Sequence, residues 1–250
     1  MSKPKKQRSG FSNDLKVPTA KEQPHDNSVN HTLKEQQANA LMNQGKLQES
    51  EAIYTELIID GTRNHIVYGN LAAIYLMQGR HDKSIPLLNK SLELKPNNSG
   101  AHINLGNALQ AQGDLNTAIA SYRKAIEINP NYAEAHSNLG NALKAQGDLN
   151  AAIAFYRKAI EINPNYPNAL NNLGLALNEQ GDLHAAIASL QTALQLKPNF
   201  TDAHLNLGNA LKEQGDLNAA IASYGGVVSP WPPPSPSPPV IPEPLVCFCL

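Results

Sequence analysis

The chain has 250 residues, 41% of them apolar and 16% charged, with 20 Lys and Arg against 21 Asp and Glu. A net charge near zero excludes a global field that would draw it to nucleic acid or to an anionic membrane. No stretch is apolar enough to span a membrane, and the two cysteines, Cys247 and Cys249, are too close and too peripheral for a disulfide framework or a zinc site.

Residues 1–30 carry Lys3, Lys5, Lys6, Arg8, Lys16 and Lys21 against Asp14, Glu22 and Asp26, with few aromatics. They are too polar to bury a core and are expected to be a disordered basic leader. They also lack the apolar run of a secretory signal, so the expected location is cytoplasmic. The sequons at Asn30, Asn97 and Asn199 are accordingly read as ordinary surface.

From residue 31 onward one phrase returns every 34 residues. It reads Asn104-Leu105-Gly106-Asn107-Ala108-Leu109, then Asn138-Leu139-Gly140-Asn141-Ala142-Leu143, with counterparts beginning at Asn172 and Asn206. A fixed period of this length marks an array of one supersecondary unit, each copy burying its apolar face on the next. The register gives repeats at 31–64, 65–98, 99–132, 133–166 and 167–200, and a partial one at 201–224. Within 133–166, Leu139, Gly140, Ala142 and Leu143 have helical spacing and predict a first helix, A, closed by Gly147. Asn150 is expected to cap a second helix, B, whose face is Ala152, Ile153, Tyr156, Ala159, Ile160 and Ile162 and which Pro164 ends. Gly140 and Ala152 are expected to be small because the two helices approach closely there, as are Gly106 with Ala118, Gly174 with Ala186, and Gly208 with Ala220.

Numbering each repeat from its first residue, the small residue at position 8, Ala at 20, the aromatic at 24, Ala at 27 and Pro at 32 resemble the tetratricopeptide repeat. The resemblance implies an all-α fold, a right-handed superhelical solenoid of antiparallel helix pairs. The sequence departs from the family pattern at His102, His136 and His204, which take position 4. It departs again in the first two repeats, where Ala38 and Ala72 replace glycine and Ser50 and Ser84 replace alanine. The three histidines lie one helix pair apart, on the order of 10 Å, too far to share an ion, and are read as packing residues.

In this family a stripe on helix A, positions 2, 6, 9 and 13, faces a concave groove. Here it is rich in amides, Asn70, Asn104, Asn138, Asn172 and Asn206 at position 6 and Asn107, Asn141 and Asn209 at position 9. An asparagine amide carries a donor and an acceptor and can pair with both polar atoms of a peptide group, so these eight residues are the candidate peptide-binding groove. Duplication explains them equally well. Residues 104–132 and 138–166 differ only at Gln110/Lys144, Thr117/Ala151 and Ser121/Phe155, and copying preserves a residue whether or not it serves a ligand. Lys144 and Lys212 are too sparse to clamp a terminal carboxylate.

The stripe resembles the groove of the O-linked N-acetylglucosamine transferase array, and the near-identical repeats are similar to those of bacterial, especially cyanobacterial, transferase-linked proteins. No nucleophile with its base, phosphate loop or acid pair is present, so no catalysis and no cofactor are expected. The expected function is a non-catalytic scaffold that binds an extended peptide. The alternative is the substrate-presenting array of a glycosyl-, sulfo- or methyltransferase whose catalytic domain is missing. The incomplete last repeat also suggests self-association. After Tyr224 the pattern breaks, and Ser229 to Pro244 is proline-rich, expected to be extended or disordered. Its abruptness is read as a frameshift or truncation rather than as a groove ligand or a prenylation box at Cys247.

Overall fold

Glycine sets the rhythm of the backbone. Gly113, Gly147, Gly181 and Gly215 have φ between 85° and 96°, the left-handed conformation that stops an A helix and that a side chain would strain. The residue after each, Asp114, Asp148, Asp182 or Asp216, starts the B helix by accepting a backbone N–H three residues on, at 3.0–3.1 Å. The cap is therefore aspartate. Asn150, expected in that role, lies one residue inside the helix, and its Oδ1 instead accepts from Gln180 Nε2 of the following repeat at 2.6 Å. A stronger acceptor stands two residues earlier, beside the glycine turn, and takes the free donor first.

The computed structural model describes residues 24–226. They form twelve helices, α1 (Pro24–Asn43), α2 (Leu47–Ile59), α3 (His65–Met77), α4 (His81–Leu94), α5 (Ser99–Ala111), α6 (Leu115–Ile128), α7 (Ala133–Gln146), α8 (Leu149–Ile162), α9 (Pro167–Gln180), α10 (Leu183–Leu196), α11 (Thr201–Gln214) and α12 (Leu217–Gly225). Odd-numbered helices are A and even-numbered ones are B. The fold is an all-α solenoid. Two differences from the sequence reading are visible: α1 starts at Pro24, inside the span expected to be leader, and α12 continues one residue past Tyr224. The rest of the leader and the proline-rich tail lie outside the described residues.

The chain divides between Thr62 and Arg63 into two units. In the first, α1 packs on α2 with Ala38, Tyr54 and Leu57 buried, and Ser50 Oγ donates to Ala38 O at 2.8 Å. In the second, each A helix packs on its own B helix and each B helix on the next A helix. One core, including Leu139, Ala142, Ala152, Ile153, Tyr156 and Leu173, runs through these contacts. Consecutive A helices also touch, α5 with α7 and α9 with α11 among them, whereas consecutive B helices make no contact of comparable extent. In this unit the A helices therefore crowd together on one side.

The position-8 glycines have a more specific partner than expected. A Cβ built on Gly140 would stand 2.7 Å from Tyr156 Cε1, and one on Gly106 2.5 Å from Tyr122 Cε1. Gly208 faces Tyr224 in the same way, and Gly174 faces Leu190 and the Ala186 carbonyl. It is the position-24 side chain, more than the position-20 alanine, that requires the glycine.

Candidate functional site

The crowded A helices carry the amide stripe. Position 6 lies half-buried at Asn70, Asn104, Asn138, Asn172 and Asn206, and position 9 half-buried at Asn107 and Asn141 and exposed at Asn209. The structure shows that many of their polar atoms are used within the array.

Asn107 Oδ1 accepts from Tyr122 Oη at 2.7 Å and from Asn138 Nδ2, on the next A helix, at 3.1 Å. One repeat on, Asn141 Oδ1 accepts from Tyr156 Oη at 2.8 Å and from Asn172 Nδ2 at 2.9 Å. Asn209 Oδ1 takes Tyr224 Oη at 2.7 Å. In the first unit Asn39 Oδ1 takes Tyr54 Oη at 2.6 Å. The rule is one tyrosine at position 24 for each asparagine at position 9. Where position 9 is Ala73 or Leu175, position 24 is Leu88 or Leu190. Burial holds the Tyr122 and Tyr156 phenols well above the ordinary tyrosine range, with Glu134 and Glu179 adding repulsion, so both hydroxyls stay protonated as donors.

Position 6 depends on the preceding repeat. Asn138 and Asn172 find an asparagine there. Asn206 faces Leu175 instead and donates to Asn171 Oδ1 at 2.9 Å, while Asn171 Nδ2 donates to Asn172 Oδ1 at 3.3 Å. Among the described residues, Asn104, which follows Ala73, has no side-chain hydrogen-bond partner. The expectation that each amide offers a donor and an acceptor together therefore needs correction: at Asn107 and Asn141 the oxygen is committed internally and Nδ2 remains. Sequence reasoning took Tyr122, Tyr156 and Tyr224 only as the apolar, aromatic residue of position 24 and missed their hydrogen bonds to position 9, a pairing present in the sequence as a joint change across repeats.

A cleft of about 300 Å³ opens on this stripe, bounded by Asn141, Lys144, Ala145, Tyr156, Asn172 and Leu175. Its counterpart between α3, α4 and α5, about 230 Å³, includes Ile66, Asn70, Ala73 and Asn104. Lys144 is paired with Glu179 at 2.8 Å, which removes one of the two cations a carboxylate clamp would need. On the B helices Lys124 meets Glu127 and Lys158 meets Glu161 at 2.8–2.9 Å as local ion pairs.

The position-4 histidines fasten repeat to repeat. Nε2 lies 3.1 Å from Pro96 O in His102, 2.8 Å from Pro130 O in His136 and 2.9 Å from Pro198 O in His204. A carbonyl can only accept, so Nε2 carries the proton. Among the described residues no group of His, Cys, Asp and Glu is placed to hold a metal ion, and no helix is long and apolar enough to cross a membrane.

Family models described as "TPR repeat" match residues 106–147, 140–181 and 174–215, and models described as "Tetratricopeptide repeat" match 65–98 and 87–120. Together they span more than half of the chain. Among solved structures, MamA is 28% identical with a TM-score of 0.57, over 63% of this chain and 92% of that one. YrrB, described as "a TPR protein with an unusual peptide-binding site", is 20% identical with a TM-score of 0.56, over 70% and 90%. PilF of Pseudomonas aeruginosa is 16% identical with a TM-score of 0.69, over 79% and 90%. No curated protein matches the chain.

Proposed function

The chain belongs to the tetratricopeptide repeat family, a premise from which we propose that its A-helix face binds an extended segment of a protein partner and performs no chemistry of its own. An array of this kind is a protein-interaction scaffold. The observation that carries the finer reading is the set of open amide atoms on one face: the whole amide of Asn104, Nδ2 of Asn107 and Asn141, and Oδ1 of Asn138. Each keeps a hydrogen-bonding atom that the array does not use, beside clefts with apolar walls. YrrB's peptide-binding site belongs to that protein; its likeness to this chain carries the fold.

The test is an array of extended peptides probed with the full chain and with Asn104→Ala, a variant that removes no internal bond. Loss of binding to the strongest peptides with an unchanged circular dichroism spectrum is expected. Equal binding by the variant overturns the role of that amide.

A second reading, self-association through the last helix pair, is favoured by Leu217 and Ile221, which are 60% and 68% exposed, whereas Ile119 and Ile153, equivalent to Ile221, are 5% and 4% exposed. Light scattering over a hundredfold range of concentration tests it; a constant monomer mass dismisses it.

A further inference from the structure

The tyrosines decide which atom of each position-9 amide faces the groove. Asn107 Oδ1 and Asn141 Oδ1 each take a tyrosine hydroxyl and an Nδ2–H of the following A helix, which fills both lone pairs. With Asn138 and Asn172 oriented as they are, turning either amide by 180° would set two N–H groups against each other; the Tyr122 hydroxyl also reaches Gln110 Oε1, at 3.0 Å. Only Nδ2–H remains to face outward. At Asn209 Oδ1 takes Tyr224 Oη and no second donor, so Nδ2–H faces outward beside one open lone pair. Position 9 is thus a row of donors held in direction by residues of the B helices.

Donors need acceptors, and the surroundings select among them. The cleft beside Asn141 has Ala145 and Leu175 in its wall, and its cation, Lys144, is already neutralised by Glu179, so the site suits a neutral acceptor with an apolar flank rather than a carboxylate. A main-chain carbonyl fits. An ordinary residue also brings an N–H, which loses its water in the cleft and finds an acceptor only where it meets Asn138 Oδ1 or the amide of Asn104. Proline brings a carbonyl and no N–H, and its ring covers the apolar wall. In polyproline II a carbonyl returns to the same side every third residue, about 9 Å along the strand, close to the ~8–10 Å between packed helices; Asn107 and Asn141 are one repeat apart, and Asn209 lies two repeats further, beyond Leu175.

We propose that the donor row of Asn107, Asn141 and Asn209 takes the main-chain carbonyls of a proline-rich partner segment in polyproline II form, with Tyr122, Tyr156 and Tyr224 as positioning residues. This rests on the peptide-groove reading above and names its ligand class. Asn138, which turns Oδ1 outward, admits one residue with an N–H beside the row.

The full chain, labelled with ¹⁵N, is titrated with a lysine-flanked proline nonamer and with a lysine-flanked alanine nonamer, following the side-chain amide resonances of Asn107, Asn141 and Asn209. The proline peptide is expected to shift these resonances at lower concentration than the alanine peptide. The combined variant Asn107→Asp and Asn141→Asp keeps an acceptor for each tyrosine and for Asn138 and Asn172 but has no outward N–H. It is expected to keep the fold and weaken the proline peptide at least tenfold. Asn141→Leu with Tyr156→Leu, which copies the Leu175 and Leu190 pair of the next repeat, gives a second folded variant with the same expected loss. Unchanged proline binding in either folded variant overturns the donor row. Preference for the alanine peptide overturns the proline assignment and leaves the groove reading standing. No shift with either peptide overturns both.

Discussion

One added methyl group at Gly140 sets two effects of known size against each other. On an open helix surface, Gly→Ala stabilises by about 1 kcal/mol. In α7 the new Cβ would stand 2.7 Å from Tyr156 Cε1 and 2.8 Å from Cδ1, roughly 1 Å inside the ordinary carbon–carbon separation of about 3.5–4.0 Å. The ring cannot swing away, because Tyr156 is 1% exposed and its hydroxyl is held by Asn141 at 2.8 Å. Overpacking of this kind costs about 1–3 kcal/mol, and opening the Tyr156 hydrogen bond adds about 1 kcal/mol more. The net expectation for Gly140→Ala is a loss of about 1–3 kcal/mol. Gly69, also in an A helix, is the control: its added Cβ would meet only Ser91 Oγ, at 3.5 Å, an ordinary contact. Gly69→Ala is expected to be neutral or to stabilise by up to about 1 kcal/mol. Urea unfolding followed by circular dichroism reads both, with amide exchange in α7 and α8 to localise the loss, since an array can open repeat by repeat. Gly140→Ala as stable as the parent, or Gly69→Ala equally damaging, would refute the reasoning.

Asp148→Ala removes the α8 cap and should lower local stability by about 1 kcal/mol, seen as faster exchange at the Ala151 amide, whereas Asn150→Ala should leave that amide protected. His102 gives a pH dependence: burial holds its imidazole below the ordinary value of 6.5, so the folded state prefers the neutral ring. Its contribution is fully present above the unfolded value and is lost progressively as pH falls from there through the lower folded value. The thermal midpoint should therefore drop between pH 7 and pH 5 in the parent and drop less in His102→Gln; equal slopes in the two would exclude His102 as a cause.

The period, the helix pairs and their glycine and proline stops were legible because they depend on local chemistry repeated in register. Gly147 needs only its own φ, and the apolar spacing of Ala152, Ile153 and Tyr156 needs only helical geometry. The cap was misplaced by two residues because Asp148 and Asn150 are both competent acceptors, and only the position of the glycine turn decides between them. The amide stripe was legible as a pattern but not as chemistry. Which atom of Asn141 faces outward depends on Tyr156, fifteen residues away, and on Asn172, a repeat further on, and neither link follows from spacing along one helix.

Near-identity of the third and fourth repeats would explain by copying alone why Asn107 and Tyr122 recur as Asn141 and Tyr156. The second and fifth repeats do not allow that explanation for the whole array, because there both members change together, to Ala73 with Leu88 and to Leu175 with Leu190. A tyrosine opposite leucine would strand a buried hydroxyl at a cost of about 1–3 kcal/mol, so the pair changes as one. Leu190→Tyr alone should therefore destabilise α10 against α9 even though Gly174 leaves room for a ring, as Gly140 does. Adding Leu175→Asn should restore most of that loss by giving the hydroxyl its acceptor, with a coupling energy of about 0.5–3 kcal/mol in a double-mutant cycle of urea unfolding. The restored acceptor should also draw Asn206 Nδ2 away from Asn171 Oδ1, to which it donates at 2.9 Å. A chemical-shift change at the Asn171 and Asn206 side-chain amides of the double variant would report that move. Additive energies with unmoved resonances would mean that the two positions pack side by side without forming the switchable pair on which the proposed donor row rests.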